Sequence, residues 1–279
     1  MTVPLLVLAD VSRHYRGKGG LFRTGEAVLA VDGVDLELHP GETLGIVGES
    51  GSGKSTLGRL ASGIERPSTG KVAFQGEPYA PIGSPAWRRQ RRSVQVVFQN
   101  PSQALDPRLS ITAQVRGAMD AHGLTGGKAS AGSPAAILAR VGLEGLGRRY
   151  PHQLSGGQLQ RAVIARALSL SPDLIVCDEA VSALDVSVQA QILNLLQDLQ
   201  AELGVAYLFI SHDLGVVRHV SHRIAVMQHG RIVETGAAGD VFASPRDAYT
   251  QALIAALPAA SPAARRARDA RRRLELAKV

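Results

Sequence analysis

A glycine-rich segment at residues 48–55, Gly-Glu-Ser-Gly-Ser-Gly-Lys-Ser, has the spacing of a phosphate-binding loop. Its glycines let the backbone curl so that successive N–H groups point at one phosphate, and the helix that follows adds partial positive charge. In this pattern Lys54 reaches the β- and γ-phosphates of a nucleotide, and the Ser55 hydroxyl binds Mg²⁺. The alternative is a glycine-rich turn with a surface lysine. This alternative does not explain why a strand precedes the segment and why a serine, Ser55, follows the lysine. The predicted nucleotide contacts here are Gly48, Glu49, Ser50, Gly51, Ser52, Gly53, Lys54, Ser55 and Thr56.

Two carboxylates follow an apolar run at residues 174–177. A nucleotide hydrolase needs a carboxylate for its metal ion and a group that orients the attacking water. We expect Asp178 to hold Mg²⁺ and Glu179 to activate water as a general base. An Asp-Glu pair after a strand is by itself more often a loop or helix start. The phosphate loop in the same chain reverses that preference.

A second predicted anion-binding helix terminus lies at residues 154–161, Leu-Ser-Gly-Gly-Gln-Leu-Gln-Arg. Ser155 is suited to cap a helix whose following glycines expose N–H donors. A capped structural helix with a Gly-Gly turn is the alternative. The predicted anion contacts at this terminus are Ser155, Gly156, Gly157 and Gln158.

The elements that must position these groups can be predicted from hydrophobic patterning. Nearly continuous apolar runs indicate strands buried on both faces of a parallel sheet. They lie at residues 174–177 and 205–210. A compact strand at residues 43–47 is predicted to run into the glycine-rich segment and then into a helix from Lys54, and final strands are expected at residues 224–227 and 232–233. Helical spacing of apolar residues from Val188 to Leu203 completes a β–α–β unit.

Two further regions complete the predicted architecture. Apolar runs or alternation at residues 5–11, 34–38 and 72–74 predict an antiparallel β layer. Residues 101–168 are predicted to be mainly helical, with Ser133 capping a helix that begins at Pro134. The predicted fold class is therefore α/β, a phosphate-loop NTPase core with a mostly parallel sheet, an antiparallel β subdomain and an inserted α-helical subdomain.

Length and cysteine content limit the alternatives. The chain has 279 residues and one cysteine, which suits one large domain or one domain with a subdomain. Cys177 alone cannot form a disulfide framework, a four-thiolate zinc site or an iron–sulfur cluster within one chain. The first residues lack the pattern of a secretory signal, and no apolar run approaches the roughly 18 residues that cross a bilayer. We expect that the chain does not span a membrane by itself.

The net charge of +7 is concentrated at one end of the chain. Residues 263–279 hold six Arg and one Lys against one Asp and one Glu, so the remainder is nearly neutral. Only 4% of residues are aromatic, whereas a nucleic-acid interface usually interleaves charges with aromatic side chains. We therefore expect no nucleic-acid partner. Residues 261–279 are predicted to form a flexible basic tail, with contact to anionic lipid headgroups or a partner as the alternative.

The segment at residues 154–161 closely resembles the signature motif of ATP-binding cassette (ABC) ATPases, and the other family motifs follow in order. The resemblance implies that Gln99 contacts Mg²⁺ and water, that Asp185 packs across a dimer and that His212 contacts the γ-phosphate. It also implies that Tyr15 stacks on adenine. The alternatives are a loop hydrogen bond for Gln99, a helix cap for Asp185, a strand-end histidine for His212 and a half-buried strand residue for Tyr15.

The resemblance assigns the predicted site residues to three roles. The catalytic residues are Glu179, His212, Lys54 and Gln99. The metal ligands are Ser55, Gln99 and Asp178. The nucleotide contacts are those of the phosphate loop, together with Tyr15, Asp185 and the signature residues of a second subunit.

Several segments are similar to ATPase subunits of bacterial dipeptide, oligopeptide and nickel importers. They lie at residues 48–51, 100–108, 186–191 and 240–253. The sequence departs from the pattern of these importer subunits in three ways. Asp-Ala-Tyr at residues 247–249 replaces a frequent His-Pro-Tyr, and Ala-Val at residues 180–181 replaces the commoner Pro-Thr. The cysteine cluster that many relatives carry in the extension is absent. The resemblance implies an ABC ATPase domain at residues 1–238, with a helical subdomain at about 100–168, followed by an importer-type extension at 239–260.

The implied function is ATP hydrolysis, with ATP and Mg²⁺ as cofactors, that energises uptake of peptides or nickel. The implied partners are a second ABC ATPase subunit in a head-to-tail dimer, either a paralogue or a second copy, and integral-membrane permease subunits. A solute-binding protein acts indirectly. The implied location is the cytoplasmic face of the bacterial inner membrane, as a peripheral protein. The alternatives are a cassette ATPase that acts on DNA or ribosomes and a module that holds ATP without turnover.

Overall fold

The computed structural model describes residues 3–15, 28–124 and 132–257, and the basic tail at residues 261–279 lies outside this part of the chain. The strands are β1 (Leu6–Tyr15), β2 (Val28–Leu38), β3 (Thr43–Val47), β4 (Thr69–Phe74), β5 (Glu77–Pro78), β6 (Val94–Phe98), β7 (Leu174–Asp178), β8 (Ala206–Ile210), β9 (Arg223–Gln228) and β10 (Arg231–Ala237). The helices are α1 (Lys54–Ala61), α2 (Pro85–Ser93), α3 (Pro101–Ala104), α4 (Ile111–Ala121), α5 (Pro134–Arg140), α6 (Gly156–Leu168), α7 (Val186–Leu203), α8 (Leu214–Val220), α9 (Ala238–Ala243) and α10 (Ala248–Ala255), with a short 3₁₀ helix at Pro151–Gln153.

A six-stranded sheet in the order β10-β9-β3-β8-β7-β6 forms the centre of the fold. All neighbouring pairs are parallel except β9 with β10. Both faces are covered, because Leu208 and Ile210 of β8 pack into one apolar cluster and Tyr207 and Phe209 into the other. Burial on both faces explains why the central strands are nearly continuous apolar runs. The prediction of a mostly parallel sheet is confirmed.

A second, four-stranded sheet in the order β2-β1-β4-β5 is antiparallel, as predicted. Leu6 of β1 lies between Leu38 of β2 and Phe74 of β4 in the register. These three side chains are buried with Leu57 and Leu60 of α1 in the same apolar cluster. The antiparallel sheet therefore packs on the helix that begins directly after the glycine-rich segment.

Helices α3 to α6 lie between β6 and β7, where the sequence predicts mainly helical structure. The hydroxyls of Ser110, Ser133 and Ser155 cap α4, α5 and α6 by accepting backbone N–H groups of the first turn. Such caps satisfy donors that have no partner inside the helix. Within the described ranges, no helix combines the length and the apolar character that a membrane span requires.

Gly45 shows how tightly α8 packs on the central strand. A Cβ atom at this position would lie 2.2 Å from Val217 Cγ1 and 2.5 Å from Ser221 Oγ. Because a close-packed core cannot absorb an added methyl group without strain, we expect Gly45→Ala to lower the free energy of unfolding by about 1–3 kcal/mol. Urea denaturation followed by circular dichroism measures this change.

Gly117 provides the matched control for this substitution. It lies on the exposed side of α4, and a Cβ atom there would meet nothing within 4 Å. Gly117→Ala should therefore stabilise the protein by about 0.5–1 kcal/mol through helix propensity. Equal stability of Gly45→Ala and the wild type would contradict the described packing of α8 on β3.

Candidate functional site

The glycine-rich segment curls around the side chain of Lys54. Its Nζ donates hydrogen bonds to the carbonyl oxygens of Gly48 at 2.8 Å and Glu49 at 2.6 Å, and to Ser52 Oγ at 3.3 Å. Only 5% of Lys54 is exposed. Desolvation lowers the pKa of Lys54, and the opposing charges of Glu179 and Asp178 only partly offset this effect. The loop therefore holds a desolvated ammonium group at the start of α1.

Two glycines allow the loop to pass between neighbouring strands. A Cβ atom on Gly48 would lie 2.1 Å from the carbonyl oxygen of Met227, and one on Gly53 would lie 2.2 Å from that of Ala30. Both glycines also have positive φ angles, 153° and 105°. The N–H of Gly230, in the turn between β9 and β10, donates to the Ser52 carbonyl at 3.0 Å. Larger residues at these two positions would displace the loop.

The predicted carboxylates lie at the same edge of the sheet as the loop. Ser55 Oγ donates to Asp178 Oδ1 at 3.0 Å, which joins the start of α1 to the end of β7. Desolvation raises the pKa of Asp178, with the Ser55 hydrogen bond acting in the opposite direction. Glu179 Oε1 lies 3.3 Å from His212 Nδ1. Parallel strands thus bring together side chains that are far apart in sequence.

Glu179 has an unusual backbone conformation for a residue other than glycine. Its φ angle is +52°, and its N–H donates to the Ile210 carbonyl at the end of β8 at 3.0 Å. This conformation costs free energy for a side chain with a Cβ atom, so the surrounding contacts must hold it in place. It directs the chain out of β7 directly after Asp178.

Gln99 follows β6 at the same edge, but it has no direct hydrogen bond to Asp178 or Ser55 in the described structure. Its Nε2 donates to Ser182 Oγ at 3.2 Å, and Ser182 Oγ donates to the Glu179 carbonyl at 3.0 Å. Gln99 is thus connected to Glu179 through Ser182. Its role as a metal ligand stays a prediction.

Tyr15 lies at the end of β1, where its contacts are those of a half-buried strand residue. Its hydroxyl donates to Glu65 Oε2 at 2.8 Å, and the Arg13 guanidinium lies 4.9 Å from the ring centre. Arg13 and Glu65 form an ion pair at 2.6 Å. The stacking of Tyr15 on adenine stays a prediction.

The signature residues cap α6. Ser155 Oγ accepts the Gln158 N–H at 3.3 Å, and Gln158 Oε1 accepts the Ser155 N–H at 3.0 Å. Asp185 caps α7, because its Oδ1 accepts the Val188 N–H at 3.0 Å. Hydrogen bonds from the Ser187 hydroxyl and from this N–H lower the pKa of Asp185. Within the chain, the contacts of Asp185 are thus those of a helix cap, which is the alternative given for this residue, and its packing across a dimer stays a prediction.

A cavity of about 370 Å³ lies beside the loop. It is lined by Val28, Leu29, Ala30, Ser50, Gly51, Gly53, Lys54, Ser55, Thr56, Glu179, His229 and Gly230. Among the described residues that line it, none belongs to the signature segment. His229 was not predicted from the sequence, although the His-Gly pair between two apolar runs is a turn signal. The predicted anion-binding terminus at residues 154–161 is therefore not part of this cavity.

The oxygen groups at this edge suit Mg²⁺. The Ser55 hydroxyl and the Asp178 carboxylate are already within hydrogen-bond distance, and hydroxyl and carboxylate oxygens are the ligands that this ion prefers. No group of three or more His, Cys, Asp or Glu residues in the described ranges is arranged to hold a metal alone. Mg²⁺ commonly takes its remaining ligands from substrate phosphates and water. These residues therefore fit a magnesium ion that arrives with a nucleotide.

The fold and this site define a phosphate-loop nucleotide-binding protein. The ABC transporter family model matches residues 31–182, which is more than half of the chain. The chain therefore belongs to the ABC transporter family. The family expectation from the sequence is confirmed.

Individual relatives have names that refer to glutathione import or dipeptide transport. The glutathione import ATP-binding protein GsiA of Salmonella typhimurium is 47% identical over 95% of this chain. The chain spans only 43% of the length of that relative. The dipeptide transport ATP-binding protein DppF of Escherichia coli is 46% identical over 95% of this chain and 80% of its own length.

Solved structures give the same fold. The cbiO1 protein of Clostridium perfringens, part of the ABC transporter complex cbiONQ, matches with a TM-score of 0.71 and 28% identity over 86% of this chain and 91% of its own. The ATP-binding cassette MJ0796, a dimer in a post-hydrolysis state bound to ADP and Pi, matches with a TM-score of 0.70 and 29% identity, over 84% of this chain and 98% of its own.

Cys177 allows a test of the sheet edge at Asp178. The side chain is fully buried in β7. This burial raises the pKa of its thiol from 9.0 to about 12, and the negative charge of Asp178 acts in the same direction. Since the thiolate is the reactive form, we expect slow alkylation by iodoacetamide at about pH 8 in the native protein and fast alkylation in urea. Mass spectrometry counts the added groups. Fast labelling of the native chain would show that β7 is accessible.

Proposed function

We propose that this protein is the ATP-hydrolysing subunit of a bacterial ABC importer that energises uptake of dipeptides, oligopeptides or nickel through a membrane permease. The observation that carries the proposal is the convergence of Lys54, Asp178, Glu179 and His212 at one edge of the parallel sheet. The names of GsiA and DppF support a peptide cargo. No observation favours the alternative function on DNA or ribosomes.

The proposed chemistry follows from these positions. The loop N–H groups and the start of α1 bind the phosphates, and Lys54 exchanges its loop carbonyls for phosphate oxygens. Ser55, Asp178 and Gln99 would hold Mg²⁺, which neutralises phosphate charge when it is bound. Glu179 accepts the proton of the attacking water, and the His212 ring orients its carboxylate. Positioning and electrostatic stabilisation supply the rate enhancement.

The proposed partners follow from the separation of the two anion-binding termini. Ser155 and Gly156 are exposed, and neither lines the cavity beside Lys54. A second cassette, either a paralogue or a second copy, would bring its own signature residues to that cavity in a head-to-tail dimer. Closure of this dimer on ATP and its reopening after hydrolysis would drive the permease. A solute-binding protein would deliver the cargo at the other side of the membrane, with this subunit on the cytoplasmic face.

Glu179→Gln tests the proposed chemistry. Because glutamine cannot accept the proton of water, we expect kcat for ATP hydrolysis to fall by about 10²- to 10⁴-fold while Kd for ATP stays nearly unchanged. A phosphate-release assay on the assembled transporter and equilibrium binding of a fluorescent ATP analogue measure the two quantities.

Glu77→Gln is the matched control, because Glu77 is exposed on β5 of the antiparallel sheet. This variant should keep the wild-type kcat. Unchanged hydrolysis by Glu179→Gln would assign the general base elsewhere, and absence of ATP binding by the wild type would end the proposal as a whole.

The same variant tests the proposed dimer. With hydrolysis blocked, saturating ATP should hold two Glu179→Gln subunits together, either as two copies or with a co-expressed paralogue. Light scattering after size exclusion gives the mass of the complex. A Lys54→Ala, Glu179→Gln double variant should stay monomeric because it lacks the phosphate contact. A monomer under all of these conditions would contradict the head-to-tail arrangement.

A further inference from the structure

A single hydrogen bond joins the phosphate loop to the C-terminal extension. The N–H of Glu49 donates to Tyr249 Oη at 2.9 Å, between residues that are 200 positions apart. Glu49 is the second residue of the loop, and Tyr249 lies in the first turn of α10.

Tyr249 is held firmly relative to the sheet. Asp247 caps α10 by accepting the N–H groups of Tyr249 at 2.8 Å and Thr250 at 3.3 Å. The Glu234 carboxylate on β10 in turn accepts the N–H groups of Arg246 at 2.9 Å and Asp247 at 3.1 Å. Desolvation raises the pKa of Glu234, but these hydrogen bonds, together with the Thr250 side chain and the charge of Arg246, outweigh it and lower the pKa. The tyrosine ring also packs against the main apolar cluster.

Glu49 is therefore fixed on both sides of its backbone. Its carbonyl oxygen accepts a hydrogen bond from Lys54 Nζ at 2.6 Å, while its N–H donates to Tyr249. Glu49 precedes the loop residues that line the cavity. The Tyr249 hydroxyl thus engages the Glu49 N–H, so the predicted nucleotide contact of Glu49 does not use this N–H in the described structure, and the hydrogen bond holds the start of the loop.

We propose that Tyr249 is a positioning residue of the nucleotide site, through which the C-terminal extension keeps the phosphate loop in its binding conformation. The inference rests on the proposed ATPase function. Without the Tyr249 hydroxyl the loop loses part of its order before ATP arrives, and that order must be restored on binding. The effect therefore falls on nucleotide affinity more than on the chemical step.

Tyr249→Phe removes the hydroxyl and keeps the ring that packs on the core. A hydrogen bond contributes a net free energy that corresponds to about a two- to tenfold change in an equilibrium constant, so we expect Kd and KM for ATP to rise by about this factor. We expect kcat at saturating ATP to stay close to the wild type. Binding of a fluorescent ATP analogue and steady-state hydrolysis by the assembled transporter with the full-length chain measure the two effects.

Tyr79→Phe is the matched control. The Tyr79 hydroxyl donates to the Ala61 carbonyl at 2.8 Å, so this variant also loses one tyrosine–backbone hydrogen bond, at the far end of α1. It should lower thermal stability to a similar degree and leave Kd and KM unchanged. Equal Kd values for Tyr249→Phe, Tyr79→Phe and the wild type would overturn the inference. An equal rise of Kd in both variants would show that Tyr249 only contributes to the stability of the fold, and would also overturn the inference.

Hydrogen exchange tests the contact without relying on a variant that must fold. The Glu49 amide of the wild type should exchange slowly in the absence of nucleotide, and fast exchange there would overturn the inference. In Tyr249→Phe this amide should exchange faster, whereas Tyr79→Phe should match the wild type. Failure of the wild type to bind ATP would instead contradict the proposed function, so the two failures are distinguishable.

Discussion

The burial of one ammonium group is the constraint on which the nucleotide site depends. Lys54 is removed from water, so its charge needs oxygen atoms from the protein. The loop supplies them by turning the carbonyl groups of Gly48 and Glu49 inward. A backbone that curls this tightly approaches β2 and the end of β9 so closely that residues 48 and 53 must be glycine. The spacing of the motif thus follows from the packing around one lysine.

The parallel sheet gives the remaining side chains their common location. Because β3, β6, β7 and β8 run in one direction, their ends meet at one edge. Asp178 is the last residue of β7, and the loop, Gln99 and His212 follow the ends of the other three strands. The strands are buried on both faces, so polar and charged side chains are excluded from most of their length. Polar groups therefore collect where each strand leaves the core. The positive φ angle of Glu179 belongs to this arrangement, since it turns the chain out of the sheet directly after the predicted metal ligand.

The parts of the structure that local patterns encode could be predicted from the sequence. The strand β3 agrees with the expectation residue for residue, and α1 is the predicted helix, because a compact strand, a glycine loop and a helix follow each other directly. Helix α2 and strand β6 were not predicted. An arginine-rich helix passes into β6 there without glycine or proline, and the Arg91 side chain lies over Trp87 instead of in solvent. The contact between Glu49 and Tyr249 could not be predicted, since no local signal links such distant residues.

The two glycines of the signature segment are required for different physical reasons. Gly157 is buried, and a Cβ atom there would lie 2.4 Å from Val188 Cγ1, so packing on α7 accounts for it. Gly156 is exposed, and its nearest neighbour would be Leu184 Cδ2 at an ordinary 3.6 Å, so packing within the chain does not require a glycine. The first N–H groups of a helix lack acceptors within it and attract anions. A bare backbone at such an exposed helix start is what close approach of a phosphate from a neighbouring subunit would require.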